Sequence, residues 1–118
     1  MGKEKMESSI LAKILRDLSG GAVRLFRNQV GKYKVGDRWI TYGLHPGSSD
    51  IIGFKSITIK PEHVGIKIAV LVAIEVKSAT GDVKEHQQKF IDFISKSGGL
   101  AGVARSPEDA RKILEIIS

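Results

Sequence analysis

The run Ile68-Ala69-Val70-Leu71-Val72-Ala73-Ile74, followed at once by Glu75-Val76-Lys77, constrains the fold more than any other stretch of the chain. An unbroken aliphatic run of this length reads as a strand buried on both faces, and such strands normally end before charges begin. Here a carboxylate and an ammonium stand one pleat apart at its end. Side chains alternate across a strand, so Glu75 and Lys77 share a face while Val76 points into the opposite layer. A second short strand, Asp50-Ile51-Ile52-Gly53, follows a turn-forming stretch and brings another acid to a strand end. Two acids and a lysine so placed are what metal-dependent phosphodiester cleavage requires. The acids hold a divalent cation, and the lysine positions an attacking water or offsets phosphate charge.

The rest of the chain supplies helices around such strands. Residues 3–18 place Met6, Ile10, Leu11, Ile14, Leu15 and Leu18 at helical spacing, and Ser19-Gly20-Gly21 ends the helix. Strands are predicted over 22–28 and 38–42, across a basic loop containing Lys32 and Lys34, with a turn at 43–47. Further strands are expected over 50–54, 56–60 and 67–77. A helix over 84–97 ends at Gly98-Gly99, and a short strand covers 100–105. Ser106 then caps a last helix, with Pro107 at its first position and Asp109 three residues after the cap. The order predicts a mixed α/β sandwich around one sheet.

At 118 residues the chain suits one domain, taken as 1–118. The absence of cysteine excludes disulfides, thiolate chemistry and Cys-ligated zinc. No apolar stretch is long enough for a membrane span, and the first residues lack the apolar core of a secretory leader, so a cytoplasmic protein is expected. The net charge of +6 and pI near 9.7 suit a phosphate backbone. Charge kept for solubility alone explains them equally well.

Helical phase singles out two further polar residues. At about 100° per residue, Glu7 falls at the centre of the stripe formed by Leu11, Ile14 and Leu18, while Glu4 falls at its edge. A carboxylate there is costly to bury unless paired or metal-bound, and the plain alternative is a solvated first turn. In the second helix, Val83, Phe90, Phe93 and Ile94 define one face; Gln87 lies within it and Gln88 points away. An inward glutamine orients a neighbouring acid or water, or serves as a structural amide bonded to backbone.

The segments Gly47-Ser48-Ser49-Asp50-Ile51-Ile52-Gly53 and Ile74-Glu75-Val76-Lys77, with the Gln-bearing helix after them, resemble the PD-(D/E)xK nuclease signature in its VRR-NUC branch. Arg24-Leu25-Phe26-Arg27-Asn28 with Val30-Gly31, and the stretch 98–106, also match stand-alone phage and bacterial members. The resemblance runs over 7–117, with Ser49 where the motif's name would put proline. It implies a restriction-endonuclease-like αβββαβ core, a mixed central sheet flanked by helices. It implies a Mg²⁺- or Mn²⁺-dependent DNA endonuclease with Asp50, Glu75 and Lys77 as its catalytic set. It also places a metal-site acid on the first helix, which tips Glu7 toward function. Gln87, three residues before Phe90, matches the motif glutamine. The Val76 carbonyl is a further metal ligand on this reading. Members of this kind resemble homodimeric Holliday-junction resolvases, so branched DNA and a second copy of the chain are the expected partners. The chain has no room for the helical insertion that obstructs dimerisation in larger relatives. The rivals are a nicking or single-strand nuclease subunit and a non-catalytic DNA-binding module.

Among the basic residues, Lys32, Lys34 and Arg27 are candidate DNA contacts, joined by Ser48 and Ser49 before Asp50. Arg24 and Arg27 lie on opposite strand faces, and Trp39 is expected to pack in the core. His45, His63 and His86 lack the spacing of a metal set. Gly98-Gly99 and Gly102 match no nucleotide-binding loop.

Overall fold

Apolar periodicity and turn chemistry build nine regular elements over residues 2–115, the residues that the structure, a computed structural model, describes; of Lys3 and Glu4 it describes the backbone alone. In chain order they are α1 (Gly2–Leu18), β1 (Val23–Arg27), β2 (Gly31–Val35), β3 (Arg38–Tyr42), β4 (Ile51–Lys55), β5 (Val72–Val76), α2 (Glu85–Lys96), β6 (Leu100–Ala104) and α3 (Pro107–Leu114). The chain is mixed α/β. With the β2–β3 hairpin set aside, the order α1, β1, β4, β5, α2, β6 reads αβββαβ. The expected end of the resemblance, at 117, lies outside the described residues. Contacts group into two units, one ending at Ile57 and the other beginning at Thr58.

In the first unit, β1 and β4 pair antiparallel from Val23↔Lys55 to Arg27↔Ile51. Alternation puts Phe26 and Phe54 on one face, with ring centroids 6.4 Å apart. Leu11, Ile14 and Leu15 of α1 are half-buried, whereas Leu18, placed in the inward stripe by its spacing, is 61% exposed. The basic loop expected around Lys32 and Lys34 is instead strand β2, paired with β3 from Gly31↔Tyr42 to Val35↔Arg38. Its turn is Gly36-Asp37. Gly36 has φ +60° and no non-glycine residue among those described has positive φ, the type II′ pattern that matches strand twist. At the other end, the Tyr42 ring lies over Gly31 in the space a Cβ would take, so a larger residue there would have to displace the ring.

In the second unit, β5 and β6 pair parallel from Val72↔Leu100 to Val76↔Ala104, with α2 as the crossover. Leu100, Ala104 and Ile113 form its core, packed against Ile74 and Ala110, and Ile94 of α2 is wholly buried. A Cβ on Gly102 would meet Ile113 Cδ1 at 2.9 Å, so α3 lies close on β6 with its Ile113 over this glycine. The inward face of α2 centres on Ile91 and Ile94. Phe90, expected within it, is 45% exposed.

Three strand expectations are corrected. The described ladders are three two-stranded ones, β1–β4, β2–β3 and β5–β6, where one continuous sheet was expected. Residues 56–60 form no strand: Ser56 N donates to Ala22 O, but the chain before Ala22 turns back through Gly20 and offers no further partner. The strand expected over 67–77 is confined to Val72–Val76, because β6 supplies only that much ladder. No residue of β5 is fully buried, so the expectation of a strand buried on both faces is not met, and Val76 is 74% exposed.

Truncating Ile94 to alanine should lower unfolding free energy by about 2–5 kcal/mol, the usual cost of emptying a packed isoleucine site. Ile59→Ala, at a site 73% exposed, should stay within about 0.5 kcal/mol of the parent in the same urea titration.

Candidate active site

Asp50 is positioned by backbone pairing and by one asparagine. The β1–β4 ladder ends at Arg27↔Ile51, and the next residues continue it, Asn28 N donating to Asp50 O at 2.8 Å. The Asn28 amide then ties down the loop leading to Asp50. Its Nδ2 donates to Ser48 Oγ at 2.7 Å and to Ser49 O at 2.9 Å, and its Oδ1 accepts from Leu44 N at 3.1 Å. Ser48 closes a turn on His45, with Ser48 N donating to His45 O and Ser48 Oγ accepting from His45 N. His45 itself bonds Pro46 O through Nδ1, a turn role.

Glu7 and Asp50 line the same pocket, of about 390 Å³, together with Arg27, Asn28 and Ser48. Both acids are exposed. The helical phase that set Glu7 one turn before Leu11 therefore carries its carboxylate to the side of α1 that faces Asp50, at the open end of the stripe. Two like charges beside one cavity favour a bound cation there, and Arg27 stands at its wall. Ser49 and Arg27 are exposed, and Ser48 is half-buried with its hydroxyl already engaged.

In the second unit, Glu75 is the last residue but one of β5, set by register against Val103, and Lys77 follows the strand directly, its amide donating to Ala104 O at 3.1 Å. Lys77 Nζ lies 3.9 Å from Glu75 Oε2, an ion pair too long for a hydrogen bond, with side chains 16% and 32% exposed. The expected shared face is present. Glu75 and Gln87 line a pocket of about 520 Å³ with His86 and Phe90. Gln88 points away and bonds Asp92, as the helical phase predicts. Gln87 also performs the structural role weighed against its function: its Oε1 accepts from Lys84 N at 2.9 Å, capping α2. Its amide nitrogen is the end left to act in the pocket.

A family model of the VRR-NUC domain matches residues 7–108. The chain belongs to the VRR-NUC family. No curated protein and no solved structure matches it. A VRR-NUC domain is a nuclease-type domain of DNA processing, with DNA as its substrate, and divalent metals are common in such domains. No described helix is long and apolar enough to cross a membrane.

The donor set fits a hard cation. Within neither unit do three Asp, Glu or His side chains come together among the described residues. Glu7 and Asp50 supply two carboxylates to one open pocket, and Mg²⁺ is usually bound by one or two carboxylates plus waters and substrate phosphate.

Two positioning residues lie in segments quoted above for their family likeness but given no role there. Asn28 is one. Arg105 is the other: its guanidinium donates to Ser78 O and Gly81 O, clasping the loop just after Lys77. Asn at a strand end followed by a turn-rich loop is a signal for the first, since its amide can satisfy several loop backbone groups at once. A side chain reaching back across the chain, as Arg105 does, leaves no local signature.

Asn28→Ala should destabilise the protein by about 1–3 kcal/mol by leaving its loop partners unpaired. It should also speed hydrogen exchange at the Leu44 amide. Asn28→Asp, which keeps the acceptor, should protect that amide better than Asn28→Ala.

Proposed function

We propose that this VRR-NUC domain is a metal-dependent DNA endonuclease of the PD-(D/E)xK kind, its two units acting as one nuclease domain. The observation that carries the reading is the pairing of acids with their neighbours. Glu7 and Asp50 share one pocket, and Glu75 stands beside Lys77 at the end of β5. On this reading Glu7, Asp50 and Glu75, with the Val76 carbonyl, hold Mg²⁺ or Mn²⁺. A bound divalent cation supplies charge neutralisation at the scissile phosphate and eases ionisation of the attacking water. Lys77 donates a hydrogen bond to that water or to a phosphate oxygen, while Glu75 fixes where its ammonium sits. Gln87 steadies Glu75 through its amide nitrogen.

Arg27, Ser49, Lys32 and Lys34 serve as backbone contacts, joined by Ser48 so far as its engaged hydroxyl allows. The substrate is branched DNA, cut by a two-fold symmetric homodimer whose identical sites address matching strands of a junction. Exposed apolar side chains near the end of β4 support a second copy: Ile57 is 48% and Ile59 73% exposed. A nicking or single-strand nuclease acting as a subunit, in place of a junction resolvase, is the second reading, favoured by the solvent-facing aromatic Trp39. The acids argue against a non-catalytic DNA-binding module, since binding alone would not place carboxylates toward a phosphate. The setting is the cytoplasm of a bacterial or phage-infected cell.

Asp50→Ala and Glu75→Ala should each abolish Mg²⁺- or Mn²⁺-supported cleavage of labelled DNA while circular dichroism stays native. Lys77→Ala should retain metal binding and lose turnover, and Glu7→Gln should weaken cleavage more than Glu4→Gln. Near-parental cleavage by Asp50→Ala protein would end the reading. Sedimentation at micromolar protein should give a dimer, with or without four-way junction; a monomer in both conditions removes the resolvase form and leaves a nicking nuclease.

A further inference from the structure

The β2–β3 hairpin presents an aromatic residue in an unusual setting. Register and alternation place Lys32, Lys34, Trp39 and Thr41 on one face, with Lys34 directly opposite Trp39. Lys32 Nζ lies 5.0 Å and Lys34 Nζ 5.9 Å from the Trp39 ring centroid, both within cation–π range. Yet Trp39 is 59% exposed. The tyrosines lie on the other face, Tyr33 and Tyr42 with centroids 6.2 Å apart, so Trp39 belongs to no aromatic cluster of the hairpin. The expectation that it packs in the core is overturned by that exposure, on a hairpin joined to no other described strand.

A large apolar ring held in solvent with two ammonium groups close by has complementary chemistry in an unpaired nucleotide, which offers a flat π-face flanked by phosphates. The pocket holding Glu7 and Asp50 shares Val30 with a second pocket, and that one includes Lys32 and Thr41 of the Trp39 face. The acidic pocket thus adjoins the base of the hairpin, where Gly31 and Lys32 pair with Tyr42 and Thr41, within one unit.

We propose that Trp39, bracketed by Lys32 and Lys34, is a stacking platform for an unpaired base of the DNA substrate. The platform selects DNA with single-stranded character, and rests on the nuclease reading only in taking DNA as the ligand. Lys32 and Lys34 pair with the phosphates on either side of the stacked base.

Trp39 is the sole tryptophan, so its fluorescence reports the platform directly. The full-length chain is titrated in chelator, where a metal-dependent reaction cannot proceed, with a 5′-labelled oligo-dT and with a blunt duplex of equal length. Anisotropy of the label and Trp39 emission are read together. Oligo-dT should raise anisotropy and quench Trp39, and the duplex should quench it less at equal occupancy. Trp39→Ala should weaken oligo-dT binding by about 5- to 150-fold, the range for losing one base stack, and Trp39→Phe should recover most of it. Lys32→Gln and Lys34→Gln should each lower the salt dependence of binding by roughly 0.7 of a log unit per log unit of salt. Binding without quenching, equal affinity of Trp39→Ala, or no binding at all overturns the proposal. So does an emission change that follows protein concentration alone, since that marks the face as a contact between two copies. Quenching by oligo-dT in a protein that shows no cleavage when Mg²⁺ or Mn²⁺ is added sustains the platform and removes the endonuclease reading instead.

Discussion

Asn28 is the constraint on which the acidic pocket depends. A lone aspartate at a strand end has no means of holding its own position, because the chain before it is a turn-rich loop with glycine at 43 and 47 in positive φ. Asn28 removes that freedom. Its backbone extends the β1–β4 ladder by one bond to Asp50, while its amide engages Leu44, Ser48 and Ser49. Each such bond is worth only about 0.5–1.5 kcal/mol net, but all of them fall on the loop that ends at Asp50. The same asparagine directly follows β1, and three residues on the chain enters the hairpin that carries Trp39, so pocket and hairpin share a root.

The second unit meets the same need with packing. Five parallel register pairs hold β5 on β6, and α3 packs Ile113 against Leu100 and Ala104 of β6, close over Gly102. Glu75 therefore sits within the paired part of its strand, opposite Val103. Lys77 sits one step beyond the strand, where Ala104 O and the Arg105 clasp on Ser78 and Gly81 take over from the ladder. A pair separated by 3.9 Å and only partly shielded from water contributes little stability. Its value is in where it holds the ammonium.

How much of this was legible depends on how local each cause is. The α1 span, the α2 phase that separates Gln87 from Gln88, the Ser106 cap and the Glu75/Lys77 shared face all follow from periodicity or from adjacent residues. All are present in the fold. The hairpin was missed although its signal was local: Gly36-Asp37 between two five-residue runs is a II′ turn, and the lysines of β2 drew attention to charge instead. Trp39 was misplaced because exposure depends on what covers a face, which no residue near it in sequence reveals. The shortened β5 has the same cause, since its extent is set by β6. The pocket formed by Glu7 and Asp50 was reached from the residues only in part. Helical phase brought Glu7 onto the apolar stripe, the family likeness gave it a role, and the Asn28 clasp that fixes its partner was not foreseen.

The central claim is that Asp50 and Glu75 serve one metal ion. A double-mutant cycle on Mn²⁺ binding, followed by titration calorimetry of the parent, Asp50→Ala, Glu75→Ala and the combined variant, tests it without relying on any DNA substrate. If both acids hold one ion, each single variant should lose nearly as much Mn²⁺ affinity as the double. Parental affinity in either single variant, or losses that simply add, would contradict the account.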